Sequence, residues 1–369
     1  MATSPNETCL WLGLYLIPGL GNAAFRNLIE CFGSAREILR ADLKELVCVK
    51  GLRREVAHRI AGRQFAEDPE LELRKVEKAG GRVLIYTDAA YPAPLREIPH
   101  PPMVLYVRGK PLSWSDPMVA IVGSRNATHY GRKTAHRLGR GLAHRGIGVV
   151  SGLARGIDSA AHAGCLAGDG LTVAVLGTGI DRVYPFENKR LFDRILETGV
   201  VISEFPMGSP PEPRNFPIRN RIISGLSRGV AVVEASKKSG SLITASLALS
   251  QGREVFAVPG SIDSFKSAGT HYLIKQGAKL VENVDDILEE IGLEGSPGEP
   301  SGRRTNDSTG NIPMDESESK VYEVMGEYPM HMDEIVRVSG MGAEQVSSVL
   351  MRMELKGLVR QLPGKIFVR

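Results

Sequence analysis

The 369-residue chain is sparing with cysteine and with long apolar runs, and each shortage removes a class of protein. Its four cysteines (Cys9, Cys31, Cys48, Cys165) form no C-x-x-C pair and have no histidine cluster beside them, so neither a disulfide framework nor a zinc site is expected. They read as small apolar residues. The one early apolar stretch, Leu10 to Pro18, is far too short to span a bilayer and follows Glu7 rather than a basic flank. A cytoplasmic protein without membrane attachment is expected. No G-x-x-x-x-G-K-[ST] sequence occurs, which disfavours a P-loop ATPase.

Net charge is only +4, but it is unevenly spread. From Val119 to Gly229 there are fifteen Lys and Arg against eight Asp and Glu, whereas Val230 to Ile291 has six against eight. The basic half is also the half with glycine turns. Apolar runs there are repeatedly broken by glycine and a basic or hydroxyl residue, as in Val119-Ala-Ile-Val-Gly-Ser-Arg125 and Val149-Val-Ser-Gly-Leu-Ala-Arg155. Near-continuous apolar runs at βα spacing predict parallel strands covered on both faces, hence a doubly wound, mostly parallel α/β domain. Ligands bind beyond the carboxyl ends of such strands, so the glycine and arginine punctuation falls where a phosphate would go.

Five turns carry the candidate site. Gly123-Ser124-Arg125 offers backbone amides and a bidentate guanidinium. Ser151 to Asp158 brackets Arg155 between Gly152 and Gly156, with Asp158 placed to cap the next helix and His162 read as a packed histidine. Gly177-Thr-Gly-Ile-Asp-Arg182 starts like a dinucleotide fingerprint but has Arg182 where the third glycine belongs, and bases recur after Tyr184 at Lys189 and Arg190. In Asn215 to Ser227, a helix is expected to open at Pro217, with Arg219, Asn220 and Arg221 crowding its start and Phe216 just outside it. Two roles fit Phe216: a platform for a stacked base, or a hydrophobic staple. Lys237 and Lys238 follow another strand, ahead of a hydroxyl-rich helix start. No catalytic group, metal set or cofactor is expected.

The flanks differ from this core. Residues 8 to 62 read as helical, with related turns at Ile17-Pro-Gly-Leu-Gly21 and Val49-Lys-Gly-Leu-Arg53 that resemble a helix-hairpin-helix module, whether for DNA or simply for packing. Short strands at 82–86 and 103–107 are expected to extend the main sheet. Residues 294–317 read as a flexible linker, rich in Gly, Pro and Ser. Beyond it, three short helices and a hairpin around Pro363-Gly364 predict a winged helix, whose third helix is too poor in bases for major-groove reading.

Taken in order, GSR at 123–125, SGLARGID at 151–158, GTGIDRVYP at 177–185, SEFP at 203–206, FPIRNRIISGLS at 216–227, SKKSGSLITA at 236–245 and AVPG at 257–260 closely resemble the DNA-processing protein A family. The resemblance implies an extended Rossmann-like domain over 66–293, a small helical (helix-hairpin-helix or SAM-like) domain over 1–65, and a winged helix over 318–369. It further implies a homodimer through the Rossmann-like domain, binding of single-stranded DNA during natural transformation, and loading of RecA. By motif position the DNA contacts carry over to Gly123, Ser124, Arg125, Arg219, Asn220 and Arg221, and further to Gly152, Arg155, Arg182, Phe216, Lys237 and Lys238. An alternative on related folds is hydrolysis of nucleoside monophosphates, but the Pro-Gly-Gly-x-Gly-Thr stretch of those phosphoribohydrolases is missing at Pro259-Gly260-Ser261.

Overall fold

The computed structural model describes residues 5–111, 114–293, 314–326, 329–362 and 364–368. These fall into two compact units, one holding a nine-stranded sheet and the other a three-stranded sheet.

The large sheet contains β1 (Gly81–Ile85), β2 (Val104–Gly109), β3 (Met118–Gly123), β4 (Gly148–Ser151), β5 (Thr172–Leu176), β6 (Val200–Ser203), β7 (Gly229–Val233), β8 (Glu254–Ala257) and β9 (Lys279–Leu280). Their order is β1-β2-β6-β5-β4-β3-β7-β8-β9. From β6 to β9 every pairing is parallel, while β2 joins β6 antiparallel and β1 joins β2 antiparallel. The expected extension by two short strands is thus present, and the parallel part is a Rossmann-like doubly wound sheet. Its strands are buried along nearly their whole length, which is why they carry Val, Ile and Ala on both faces. Helices such as His129–His144 and Ile157–Ala167 cover one side, and Asn215–Gly225 and Gly240–Ser250 the other.

The N-terminal helices Pro5–Tyr15, Asn22–Phe32 and Arg54–Ala61 pack around Trp11 and Phe25, whose rings are 5.2 Å apart. Ile85 of β1 and Met103 beside β2 belong to the same core, so these helices sit directly on the sheet extension. The two glycine turns face each other: Arg53, standing where the second turn lacks its glycine, donates to the Gly19 carbonyl (2.9 Å), and Arg59 donates to that of Pro18 (2.7 Å). Cys165 is buried as expected of a small apolar residue, but Cys31 and Cys48 are exposed.

In the C-terminal unit the helices Glu316–Val324, Met332–Ser339 and Ala343–Leu355 precede strands Arg360–Leu362 and Ile366–Val368, with Met330–His331 adding a third strand. This is the expected winged helix, closed on Val321, Ile335, Leu350 and Phe367. The expected linker lies outside the described residues except for 314–317, and there the first helix begins earlier than the sequence suggested. Asp315 accepts from the Glu318 amide and Glu318 returns the bond, a capping box that fixes the start at Glu316.

Candidate nucleic-acid interface

Strands β4 to β6 are laid down on one side of β3 and β7 on the other, which makes the β3–β7 boundary the switch point of the sheet. Loops leaving the strands there enclose a crevice of about 890 Å³. The two strands approach so closely that a Cβ on Gly123 would lie 1.8 Å from the Val233 carbonyl oxygen, so only glycine fits. Ser124 donates its amide to the Glu234 carbonyl (2.8 Å), so that N–H is spent within the protein rather than offered to a ligand. Glu234 in turn places its carboxylate at the first turn of helix His129–His144, 2.5 to 2.8 Å from where a Cβ on Gly131 would be. A carboxylate is favoured at a helix N-terminus, and here the protein supplies its own. What projects from the GSR turn is the exposed Arg125.

Arg125 lies with its guanidinium carbon 5.1 Å from the Phe216 ring centroid, Arg219 lies 5.9 Å from it, and the Tyr184 ring stands 5.7 Å away. The helix Asn215–Gly225 starts two residues before Pro217, so Phe216 is in its first turn and not outside it. The sidechain of Asn215 pins that start by donating to the carbonyls of Gly177 (3.1 Å) and Pro210 (3.3 Å). Phe216 is no staple: its ring packs against Gly177, where a Cβ would come within 2.9 Å.

Beneath the ring, Arg219 is 4% exposed and donates to the carbonyls of Gly152 (2.8 Å) and Val175. Burial lowers its pKa to about 10, with Asp158 opposing the shift and Arg125 adding to it, so it is charged at neutral pH. Asp158 does not cap the following helix; it turns back and accepts from the amides of Gly152 (3.1 Å) and Ala154 (3.4 Å). Burial holds its carboxyl above the usual carboxylate range, with Arg219 and those two amides offsetting only part of the rise. His162 is fully buried and neutral, burial lowering it to about 3, and its Nδ1 is 2.7 Å from the Thr172 hydroxyl. That hydroxyl donates to the Val149 carbonyl, so Nδ1 carries the proton. It packs, as expected.

Of the twelve residues singled out from the sequence, Gly123, Ser124, Arg125, Phe216, Arg219 and Asn220 line this one crevice. Gly152 lies under it, its carbonyl and amide both used internally. Arg221 lies elsewhere: two residues past Arg219 on the same helix, it turns away and forms a buried ion pair with Glu204. Arg182 and the lysines Lys237 and Lys238 are exposed beside the crevice without lining it, and Arg155 faces an adjacent groove. The turn after β5 does not lead straight into a helix; it passes through a cis Tyr184–Pro185 bond and a 3₁₀ turn at Phe186–Asn188. Sequence reading missed Lys266, which lines the crevice and donates to the Asn126 carbonyl (2.6 Å), whereas the hydroxyl-rich helix start it did single out contributes Ser239, Ser241 and Thr244 to the lining. Lys266 follows β8, the neighbour of β7, and that adjacency was the signal available.

A Rossmann-like sheet with an arginine-lined crevice at its switch point, together with a winged helix, defines a class of α/β protein with a cationic opening at its strand ends. The chain belongs to the family described as DNA recombination-mediator protein A, whose model matches residues 82–292; a DprA winged helix domain matches residues 307–365. It is 34% identical to the protein Smf of Synechocystis over 99% of both chains. It is 48% identical to the DNA processing protein DprA of Streptococcus pneumoniae, over 55% of this chain and 72% of that one. The solved structure of the Streptococcus pneumoniae protein superimposes with a TM-score of 0.69 at 37% identity, covering 79% of this chain and 99% of that one. DNA processing protein A from Helicobacter pylori, whose structure is described as showing a unique single-stranded DNA binding mode, superimposes with a TM-score of 0.52 at 29% identity, over 57% of this chain and 95% of that one.

Proposed function

We propose that the crevice binds single-stranded DNA with little sequence preference, and that the protein uses it in DNA processing during natural transformation, handing the strand to RecA as a homodimer. The observation that carries this reading is the stack of Arg125 on Phe216 at the mouth of the crevice. A guanidinium for the backbone beside an aromatic face for a base is the composition of a single-strand site. Arg125, Asn220 and Lys266 meet the strand, and the buried Arg219 fixes the loops below them. Family membership and the single-stranded DNA mode of the Helicobacter pylori relative support the same ligand. Self-association draws support from apolar side chains left in water on and before the helix Ala268–Lys275: Ile262, Phe265 and Tyr272 are 88%, 72% and 54% exposed. The reading includes no catalytic step and no metal or cofactor.

Titration of a fluorescent oligo-dT at low and moderate salt, with duplex of equal length as control, tests it. Salt-sensitive preference for the single strand is the expected result. Equal binding to duplex, or none to either, returns the crevice to the nucleotide hypothesis.

A further inference from the structure

Beside the crevice runs a groove of about 490 Å³ between the helices His129–His144, Ile157–Ala167 and Lys189–Thr198. Arg132, Arg155, Arg190 and Arg194 line it, all exposed, against the single acid Glu187. Arg155 pairs with Glu187, both side chains being 61% exposed. Among the described residues, Arg190 and Arg194 have no ion-pair partner. Between the arginines the wall is small, made by Gly156, Ala160 and Ala163, so a chain could lie close to it.

Two loops are shared by the crevice and the groove. Ala154 lines the first while Arg155 and Gly156 line the second, and Tyr184 lines the first while Glu187 and Asn188 line the second. The loops are tied together, because Asn188 donates its amide to the Leu153 carbonyl (2.8 Å) and to the Ser159 hydroxyl (2.9 Å). Gly156 holds the first loop against the GSR turn, where a Cβ would fall 2.3 Å from the Ser124 carbonyl oxygen. Between Tyr184 and Glu187 stands Phe186, 78% exposed: a bare aromatic ring at the passage from one opening to the other.

We propose that the groove is a second phosphate track for the same single strand. The strand leaves the crevice past Tyr184 and Phe186 and lays its backbone over Arg190 and Arg194. This rests on the single-strand reading of the crevice. An exposed aromatic between two cationic openings suits a chain with unpaired bases, which a duplex does not offer. The Arg155–Glu187 pair is exposed and of the kind that contributes little to stability. A phosphate therefore displaces Glu187 and takes the Arg155 fork in its place.

The test compares oligo-dT of about six nucleotides, enough for the crevice alone, with oligo-dT of about eighteen, on the full chain and over a range of salt. Arg190→Ala/Arg194→Ala should bind the short oligonucleotide as the unaltered protein does, which also shows that it is folded. It should bind the long one about three- to tenfold more weakly, with a salt slope shallower by about 1. Arg190→Lys/Arg194→Lys should restore most of that loss, since a phosphate needs the charge more than the fork, and Glu187→Gln should tighten the long oligonucleotide alone. Long-oligonucleotide affinity and slope unchanged in the alanine variant, or equal losses at both lengths, would overturn the track. Failure of the crevice reading looks different: Arg125→Ala would then leave both lengths unaffected.

Discussion

Arg125 and Arg219 both lie against the Phe216 ring, at 5.1 and 5.9 Å, yet one is exposed and the other is 4% exposed and bonded to strand-end carbonyls. The crevice thus has a floor and a rim made from the same residue type. In the floor, Arg219, Gly152 and Asp158 satisfy one another and fix the shape of the loops, so their charge is committed before any ligand arrives. On the rim, Arg125 keeps its donors in water. The lesson is that a basic motif near a switch point has to be divided by burial before it is divided by function.

That division can be broken from either side, and the largest effect is expected in the floor. Arg219→Ala strands the carbonyls of Gly152 and Val175 and leaves Asp158 without the nearby positive charge, which should cost about 3 kcal/mol or more in denaturant unfolding. A loss below about 1 kcal/mol would move Arg219 to the rim.

Next comes pH. The folded His162 has its pKa lowered to about 3 while the unfolded chain keeps the ordinary 6.5, so between those values only the unfolded state takes up the proton. Stability contributed by the neutral ring is present above pH 6.5 and lost as pH falls, by up to about 1.4 kcal/mol per pH unit. Unfolding free energies at pH 7, 6 and 5 should show this decline, and His162→Gln should flatten it.

On the rim, Arg125→Ala should leave stability within about 0.5 kcal/mol and weaken oligo-dT binding about tenfold across sequences with a shallower salt slope. Unchanged affinity would remove Arg125 from the interface. The smallest effect belongs to Lys237→Ala/Lys238→Ala, exposed beside the crevice without lining it: about twofold, visible only at low salt in the same titration.

The sheet was legible because buried parallel strands leave an unambiguous trace. The run Val119 to Val122 and the run Val230 to Val233 lie in β3 and β7, and the turns after them lead to the crevice. The helix after β6 was less so. Arg219 and Arg221 are two residues apart and hence on opposite sides of a helix, one toward the floor and one toward Glu204. Nothing in the string FPIRNR says which is which, since that depends on what packs behind the helix. The arginine groove was harder still, because Arg132, Arg155 and Arg190 come from three separate segments that only the fold brings together.

Glu204, just past β6, holds Arg221 with its carboxylate while the same carboxylate accepts from the Asn22 amide (2.6 Å) and its carbonyl accepts from the Tyr15 hydroxyl. Residues near the two ends of the first helical turn motif thereby roof over an ion pair whose side chains are only 12% and 5% exposed. A chain shortened to its sheet would flood that pair with water and unmoor, from behind, the helix that aims Phe216.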